Sequence, residues 1–587
     1  MKKRYVFISI ISLLFSSLAF ADEVSVDKAR ALASQWLGSD VTEVSYGTDA
    51  FYVFSGKHGG WIIISADDAT SPVLGYNETG TFNPDRIPVN FRNWVSGYEK
   101  SIKAVRAAKV RQNSVVAAQW KTAGCRTKAS SKKVLGTATW GQDTPFNDDC
   151  PMVTENGRTI RAVTGCVATA MAEVIRYHQW PEHGVGTIGG YTYTSDYEKR
   201  YTVESYSIDS HHYDYSLMPA SYSKSATTAQ KAAVAQLMHD CGVMVEAMYN
   251  YGPGTGAYSE NIAHALYTHM SYSASAQLLY KQAYTDAEWT MLIEQEIDGG
   301  RPVIYSGSGN DGGHQFVCEG YDERDYIYIN WGWSGENNGF FTLTLNIPGS
   351  YTFDEEQSMI VGLKPDKEGD DTLMAGPIIF DSQTASDKGL SITSGSISDK
   401  SFTLKADKLS NINYYEDYSG AIKAALVGWD GEIKEFVSEE IPLEIGSYNF
   451  VLVDNIACRI SGGSTFGDRV VLYYKDSAGN WTQVKGIEGY IYTSSGSNGT
   501  ATVYLSSSVP AVDAAFIILP SDPVAGDTYY FDIVPGTAQV QSLTWYYDSV
   551  RQEGISTILK TGVHSIEAAV TLSDGTTETL KAQLTVR

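Results

Sequence analysis

From Asp370 to Arg587 no stretch repeats its apolar residues at helical spacing. Short alternating runs follow one another instead: SFTLKAD, AIKAALVGW, RVVLYYKD, TYYFDIV, HSIEAAVTL and LKAQLTV, with turn signals such as DG, GS and GN between them. Strict alternation gives each strand one face to bury, and paired sheets satisfy that need. The pattern predicts two all-β sandwich units, one over 370–493 and an Ig-like one over 499–587, divided near SSGSNGT (Ser494–Thr500). The preceding residues mix helical and strand periods, so they cannot share that fold. With 587 residues in all, a single core is excluded, and two to four domains are expected.

The N-terminus has the layout of a targeting segment. Lys2, Lys3 and Arg4 precede an apolar run from Tyr5 to Phe20, and Ala19-Phe20-Ala21 fits a small-x-small cleavage site. Residues 1–21 are therefore expected to be a signal peptide, with export after cleavage near Ala21. The run is short for a membrane span, no other stretch is long enough, and no cysteine follows it to carry a lipid. The net charge of −24 repels phosphate backbones, which argues against nucleic acid as a partner.

Three blocks lie between the leader and the β-rich tail. Residues 22–110 open with VDKARALASQWLG, an amphipathic helix pattern stopped by Gly38, continue through strand-like FYVFSG and GGWIIISADD, and return to helical spacing from Phe91 to about Ala108. Lys100 to Lys133 then carries ten Lys or Arg and no Asp or Glu, a reversal of the overall charge. Its second half, KTAGCRTKASSKK, is small and polar, so 111–133 is expected to be a flexible linker open to proteolysis. Residues 134–366 alternate helical patterns (Thr164–Gln179, Thr228–Tyr249, Asp286–Asp298) with strands (PVIYSG, HQFVCEGY, YIYINWG, GFFTLTL), an α+β layout.

Six cysteines are few for a disulfide scaffold of this size, and neither CxxC nor a Cys/His cluster with zinc spacing occurs, so no metal or cofactor is expected. His211-His212 lies in a Tyr/Ser-rich stretch and is expected to be a solvated loop. Cys166 differs from the other cysteines. In TGCVATAMAEVIRYHQWP, residues Val167, Ala170, Met171, Val174, Ile175 and His178 form one helix face, with Thr164 as the expected N-cap and Pro181 beyond the end. Cys166 thus falls in a first turn, where free N–H groups and the helix dipole lower a thiol's pKa and could stabilise an oxyanion.

A nucleophilic thiol needs a base, and His314 follows a Gly-rich loop 148 residues downstream. A chain reversal at Asp322–Asp325, centred near Glu323, sets position 314 opposite 331–332 and close to Asn330, Trp331 and Trp333. An Asn amide or a Trp ring there can orient the imidazole. Gln142, in TWGQDTPFN, can aim its side-chain NH₂ at an oxyanion. Order and spacing suit a papain-like split into a helical and a sheet half, although the local signature CGSCW is missing.

Together, GQDTPFN, TGCVATAMAEVIRYHQWP, GGHQFV and NWGWSGENNGFF resemble the streptopain family of secreted cysteine peptidases. LMHDCGVMVEAMYNYGPGTGAYS and MIVGLKP extend the likeness, and VDKARALASQWL and GGWIIISADDATSPVLGY resemble that family's inhibitory propeptide. The resemblance implies a papain-like peptidase domain, a Cys-His dyad, and a prodomain that blocks the site until it is cut away. Carried over by motif, Cys166 is the nucleophile, His314 the base and then the acid, Gln142 part of the oxyanion hole, and Trp331 the neighbour of the His. Asn330 directly precedes that Trp, whereas the papain-type Asn lies two residues before its Trp. The orienting role is therefore left between Asn330 and Trp331. The implied partners are protein or peptide substrates and the chain's own prodomain. Competing readings are a Cys150–Cys166 disulfide, a surface adhesin or glycan-binding protein on a non-catalytic scaffold, and transamidation through the same thioester.

Overall fold

The computed structural model describes residues 23–108, 112, 114–123, 132–345 and 357–368, with breaks at 156, 196–198, 252–253, 282–283, 285 and 310–311. Beyond these it describes 378–380, most of 389–492, and strand segments between 516 and 586. The expected signal peptide, the dividing stretch Ser494–Thr500 and linker residues 124–131 lie outside the described residues.

Helix α1 (Val26–Leu37) starts where Ser25 Oγ accepts the Lys28 N–H, and stops at Gly38, whose φ of 65° suits a residue without Cβ. Strands β1 (Val41–Glu43), β2 (Phe51–Gly56), β3 (Trp61–Ser65) and β4 (Val73–Asn77) follow as an antiparallel meander. Helix α2 (Val89–Ala108) comes next, and then α3 (Ser114–Thr122), so part of the expected linker is helical. Trp120 of α3 donates its Nε1–H to Thr70 O, which ties that helix to the strands before it. Strand β5 (Lys132–Val134) closes the segment.

The following half supplies α4 (Cys166–His178), α5 (Thr228–Met244), α6 (Glu260–Met270), β6 (Gln277–Tyr280), α7 (Asp286–Asp298), β7 (Val303–Gly309), β8 (Gly312–Asp322), β9 (Ile327–Asn330), β10 (Gly339–Phe341) and β11 (Ser358–Val361). Helix α5 ends five residues earlier than its sequence pattern, because Glu246 turns at φ 56° and Met248–Tyr251 pairs as a strand with Gly254–Gly256.

One sheet unites the two halves. Its order is β1-β2-β3-β4-β10-β9-β8-β7-β11-β6, with β5 paired to β8. The seam is β4 against β10, where Phe340 pairs with Tyr76 and Phe341 with Gly75. A Cβ at Gly75 would lie 2.5 Å from the Phe341 ring, so the close approach requires glycine. One face of the sheet carries a single apolar core that runs from Phe51 and Ile63 to Phe316 and Ile329, roofed by α2 and α7. The other face is covered by α1 at the N-terminal end and by α4 and α5 beneath Ile304, Val317 and Ile360. Helices α2 and α4 therefore lie on opposite sides of β7 and β8.

Beyond residue 370 every regular element among the described residues is a strand. A five-stranded sheet, including Leu390–Ser396, Ser401–Asn411 and Asn449–Arg459, faces a six-stranded one built on Tyr418–Val427 and Arg469–Lys475, and both feed one apolar cluster. Ile379 and Ile412 of this unit pack on Tyr280 and Tyr284 of the preceding one. A further four-stranded sheet contains Val540–Tyr547, Gly562–Leu572 and Thr577–Val586. No helix among the described residues is long and apolar enough to cross a membrane.

Candidate active site

Cys166 is the first residue of α4, a helix buried along its length from Val167 to Ile175. The cap differs from the sequence expectation. It is Gly165, at φ 87°, with no side-chain cap. Thr164 turns its hydroxyl instead to Thr169 Oγ1, 2.8 Å away. A Cβ on Gly165 would come within 2.8 Å of Thr255 O, so the backbone itself makes room for the turn that carries the thiol.

The thiol is half-buried, and its environment is not the one predicted from position alone. Burial pushes the Cys166 thiol above its ordinary range, while the N–H groups of Gln315, Val167 and Cys166 itself pull the other way. Desolvation therefore outweighs the helix terminus in this state. Cys150 is buried and, like Cys166, carries a free thiol, so the alternative disulfide is not formed. Cys318 lies in the core, as its strand pattern suggested.

The Gln315 contact places β8 beside the thiol. Gln315 points its side chain to Ser259 Oγ, ahead of α6, with Nε2 3.0 Å from that oxygen. His314, one residue earlier, pairs with Gly307 of β7. The ladder is regular here, so His314 is in phase with Phe316 and Cys318, on the α2 side of the sheet. Val317 is in phase with Gln315 and packs toward α4.

The hairpin register also departs from the sequence estimate. The turn centres on Arg324, with the Asp322 N–H on Tyr326 O, one residue beyond the expected Glu323; even after a bulge between Cys318 and Gly320, Val317 meets Asn330, which sets Phe316, not His314, against Trp331. Their rings lie 4.9 Å apart. Trp331 is fully buried, with Nε1–H on Asn337 O, and it packs against Phe91 of α2 at 5.6 Å and Trp94 at 6.2 Å. Asn90 of α2 donates Nδ2–H to Trp331 O at 2.7 Å. Asn330 uses its amide elsewhere: Nδ2 donates to Ala138 O at 2.7 Å, and Oδ1 accepts from Gly332 N and Asn338 Nδ2.

Gln142 is buried, and its carbonyl accepts the Thr164 N–H at 3.2 Å, which brings it next to the turn before Cys166. The segment leading to it is held by two buried carboxyls that sequence reading passed over. Glu319 of β8 accepts the Thr137 N–H, and Glu173 of α4 accepts the Trp140 N–H at 3.0 Å. Burial raises the pKa of both, that of Glu173 well above the ordinary carboxylate range. The available signal was an acid inside the otherwise small and apolar run CVATAMAEVI.

Elsewhere, His211 is not a solvated loop residue. Its Nδ1 lies 2.7 Å from Oδ2 of the buried Asp240, which also accepts the Tyr213 hydroxyl. No cluster of three metal-ligating side chains exists among the described residues.

A thiol at the head of a buried helix, a His-bearing strand whose backbone reaches that thiol, and an N-terminal unit laid across the shared sheet define a class: a papain-like cysteine-type peptidase with a propeptide-like domain in front. The Peptidase C10 family model matches residues 140–341, and the Spi protease inhibitor model matches 21–102. Streptopain of Streptococcus pyogenes is 29% identical over 363 residues, which cover 59% of this chain and 85% of streptopain. The thiol protease/hemagglutinin PrtT of Porphyromonas gingivalis is 30% identical over 391 residues, and the chain spans only 42% of that protein's length. A fragment of Prevotella intermedia prointerpain A is 31% identical across 56% of this chain and 99% of the fragment, with a TM-score of 0.47. Residues 140–341 thus match the peptidase C10 family, behind a segment that matches its Spi-type inhibitor.

Proposed function

We propose that the chain is a secreted cysteine endopeptidase made as a zymogen. Residues 1–21 direct export, 22–110 inhibit, 111–133 hold the processing site, and 134–366 catalyse. Two Ig-like sandwiches, 370–493 and 499–587, complete it. Cys166 attacks the scissile carbonyl as a thiolate. The Gln142 side chain and the Cys166 N–H receive the oxyanion. His314 protonates the leaving amine and then activates the water that hydrolyses the thioester. Trp331 shields the His end of β8, and Asn330 braces the strand behind it.

The main support is the convergence at the head of α4: the Gly165 turn and the Gln315 N–H lie at the thiol, and the Gln142 carbonyl accepts the Thr164 N–H just before it. In the uncut chain α2 lies on the Phe316 face of β8, and its Asn90, Phe91 and Trp94 grip Trp331. In this proposal, loss of that helix lets the start of β8 turn and brings the imidazole to the thiol. Mass spectrometry of the purified protein over time, with and without E-64, tests it. Self-cleavage within 111–133 that is abolished by E-64 and by Cys166→Ala is expected; processing of Cys166→Ala at the normal rate would assign the cut to another protease. Gln142→Ala should lower kcat by about 10²- to 10³-fold yet leave measurable turnover.

A second role for the tail has its own support. Tyr448, in a turn, and Phe450 and Leu452, on the strand Asn449–Arg459 that follows it, leave large apolar surfaces exposed, and the P. gingivalis relative is named a hemagglutinin as well as a thiol protease. An adhesive tail predicts red-cell agglutination by the Cys166→Ala chain that is lost when the three residues become Ser.

A further inference from the structure

We propose that Glu173 is a positioning residue that sets the oxyanion donor Gln142 against the nucleophile, a role that rests on the assignment of Cys166 and Gln142 above. Cys166 and Glu173 sit on the same helix, two turns apart, and the helix is rigidly buried. Glu173 is wholly inaccessible to solvent, yet it is spent on one backbone group of a distant segment: Oε1 takes the Trp140 N–H at 3.0 Å. Trp140 is two residues before Gln142. A second bond, Thr164 N–H to Gln142 O, fixes the other end of that short stretch to the residues before α4.

The remaining anchors of the segment run to other parts of the molecule. Thr139 N–H reaches Ala220 O, Trp140 Nε1–H reaches Pro219 O, and Trp140 O accepts Ser334 N–H. Asn330 holds Ala138 O and Thr137 Oγ1 from β9. Glu173 therefore joins the nucleophile helix to the oxyanion segment. An apolar side chain there would fill the space but leave the Trp140 N–H buried without an acceptor, and the segment would shift to find one. A buried carboxyl that carries its proton accepts through its carbonyl oxygen, as an amide does, so glutamine is a faithful substitute.

The test uses the processed enzyme, prepared from the full-length chain, and four variants: Glu173→Gln, Glu173→Leu, Glu173→Asp and Gln142→Ala. Readouts are kcat and KM on a peptide substrate, inhibition by a peptide aldehyde whose thiol adduct places an oxygen in the oxyanion site, and alkylation of Cys166 by iodoacetamide, which needs no oxyanion site. E173Q should match the parent. E173L should lose about 10- to 100-fold in kcat at similar KM, since a displacement near 1 Å costs that much. Aldehyde affinity should fall in step while alkylation holds. E173D, which keeps a buried carboxyl for the case in which E173L does not fold, should show the same split in milder form. In the Gln142→Ala background E173L should cost little more. The proposal is overturned if E173L and Q142A losses multiply, if alkylation falls in parallel with kcat, or if E173Q is as poor as E173L. Full activity of Q142A itself would instead overturn the oxyanion assignment on which the role rests.

Discussion

Replacing Trp94 by Ala tests whether the N-terminal unit and the peptidase half are one folding body. Trp94 sits on α2, 6% exposed, with rings of Phe316, Tyr305 and Trp331 at 5.7, 6.1 and 6.2 Å. Two of its partners, Tyr305 and Phe316, come from β7 and β8, on the far side of the proposed processing segment. Its Nε1–H also donates to the Tyr98 hydroxyl, which in turn donates to Thr342 O beside β10. Truncation of a buried Trp costs about 3–5 kcal/mol. If the shared sheet and core make one cooperative unit, that loss is felt by every strand, and slow amide exchange accelerates by roughly 10²- to 10⁴-fold. The assay is hydrogen exchange with mass spectrometry on the full-length Cys166→Ala chain, with and without Trp94→Ala. Peptides from β3 and β4 and peptides from β8 and β9 should accelerate by a common factor. Acceleration confined to residues 23–108, with β8 and β9 unchanged, would refute a single core and reduce the prodomain to a loosely docked cap.

Other consequences are open to measurement. Gly165→Ala forces a side chain into a φ of 87° and against Thr255 O, so a melting-point loss matching about 1–2 kcal/mol or more and a collapse of kcat are expected, whereas a silent mutant would contradict the tight turn. In an uncut His314→Ala chain, Cys166 should react slowly with iodoacetamide, and the rate should still climb above pH 9, because burial holds the thiol above that ordinary value; a plateau near neutral pH would show a thiolate already formed. Glu173 and Glu319 have folded-state pKa values raised above the ordinary 4.5, so their contribution to stability is complete below that pH and is lost as pH rises through the folded values. Melting curves of the Cys166→Ala chain against pH should therefore slope downward above pH 4.5, and Glu173→Gln should flatten the slope.

Local features were legible in the sequence where periodicity and stop signals agree. Asp286–Asp298 is a helix over the span its pattern predicts, and α1 ends at the glycine that marked it. Competing local bonds defeated the finer readings. Thr164 looked like a cap, but its hydroxyl prefers Thr169, and the backbone freedom of Gly165 does the work. The turn centred on Arg324 rather than Glu323 set Phe316, not His314, against Trp331, and no spacing rule fixes a turn's centre to one residue. The seam between Gly75–Tyr76 and Phe340–Phe341 joins residues far apart in the chain, so nothing periodic encodes it. Glu173 and Glu319 were passed over because acids on helices and strands are usually solvated, and only the packing reveals that these two are not.

Strand β5 lies just after the basic stretch and is hydrogen-bonded to Gly320–Asp322, while Lys132 reaches Glu78 on the other side of the seam and Lys133 reaches Asp298 of α7. Whichever bond is severed between 124 and 131, the fresh amino terminus is born already stitched into the surviving sheet. Its departing neighbour must peel from β10 like a zip opened from one end, and the exposed border it leaves is the first thing a substrate, or another molecule of the enzyme, will meet.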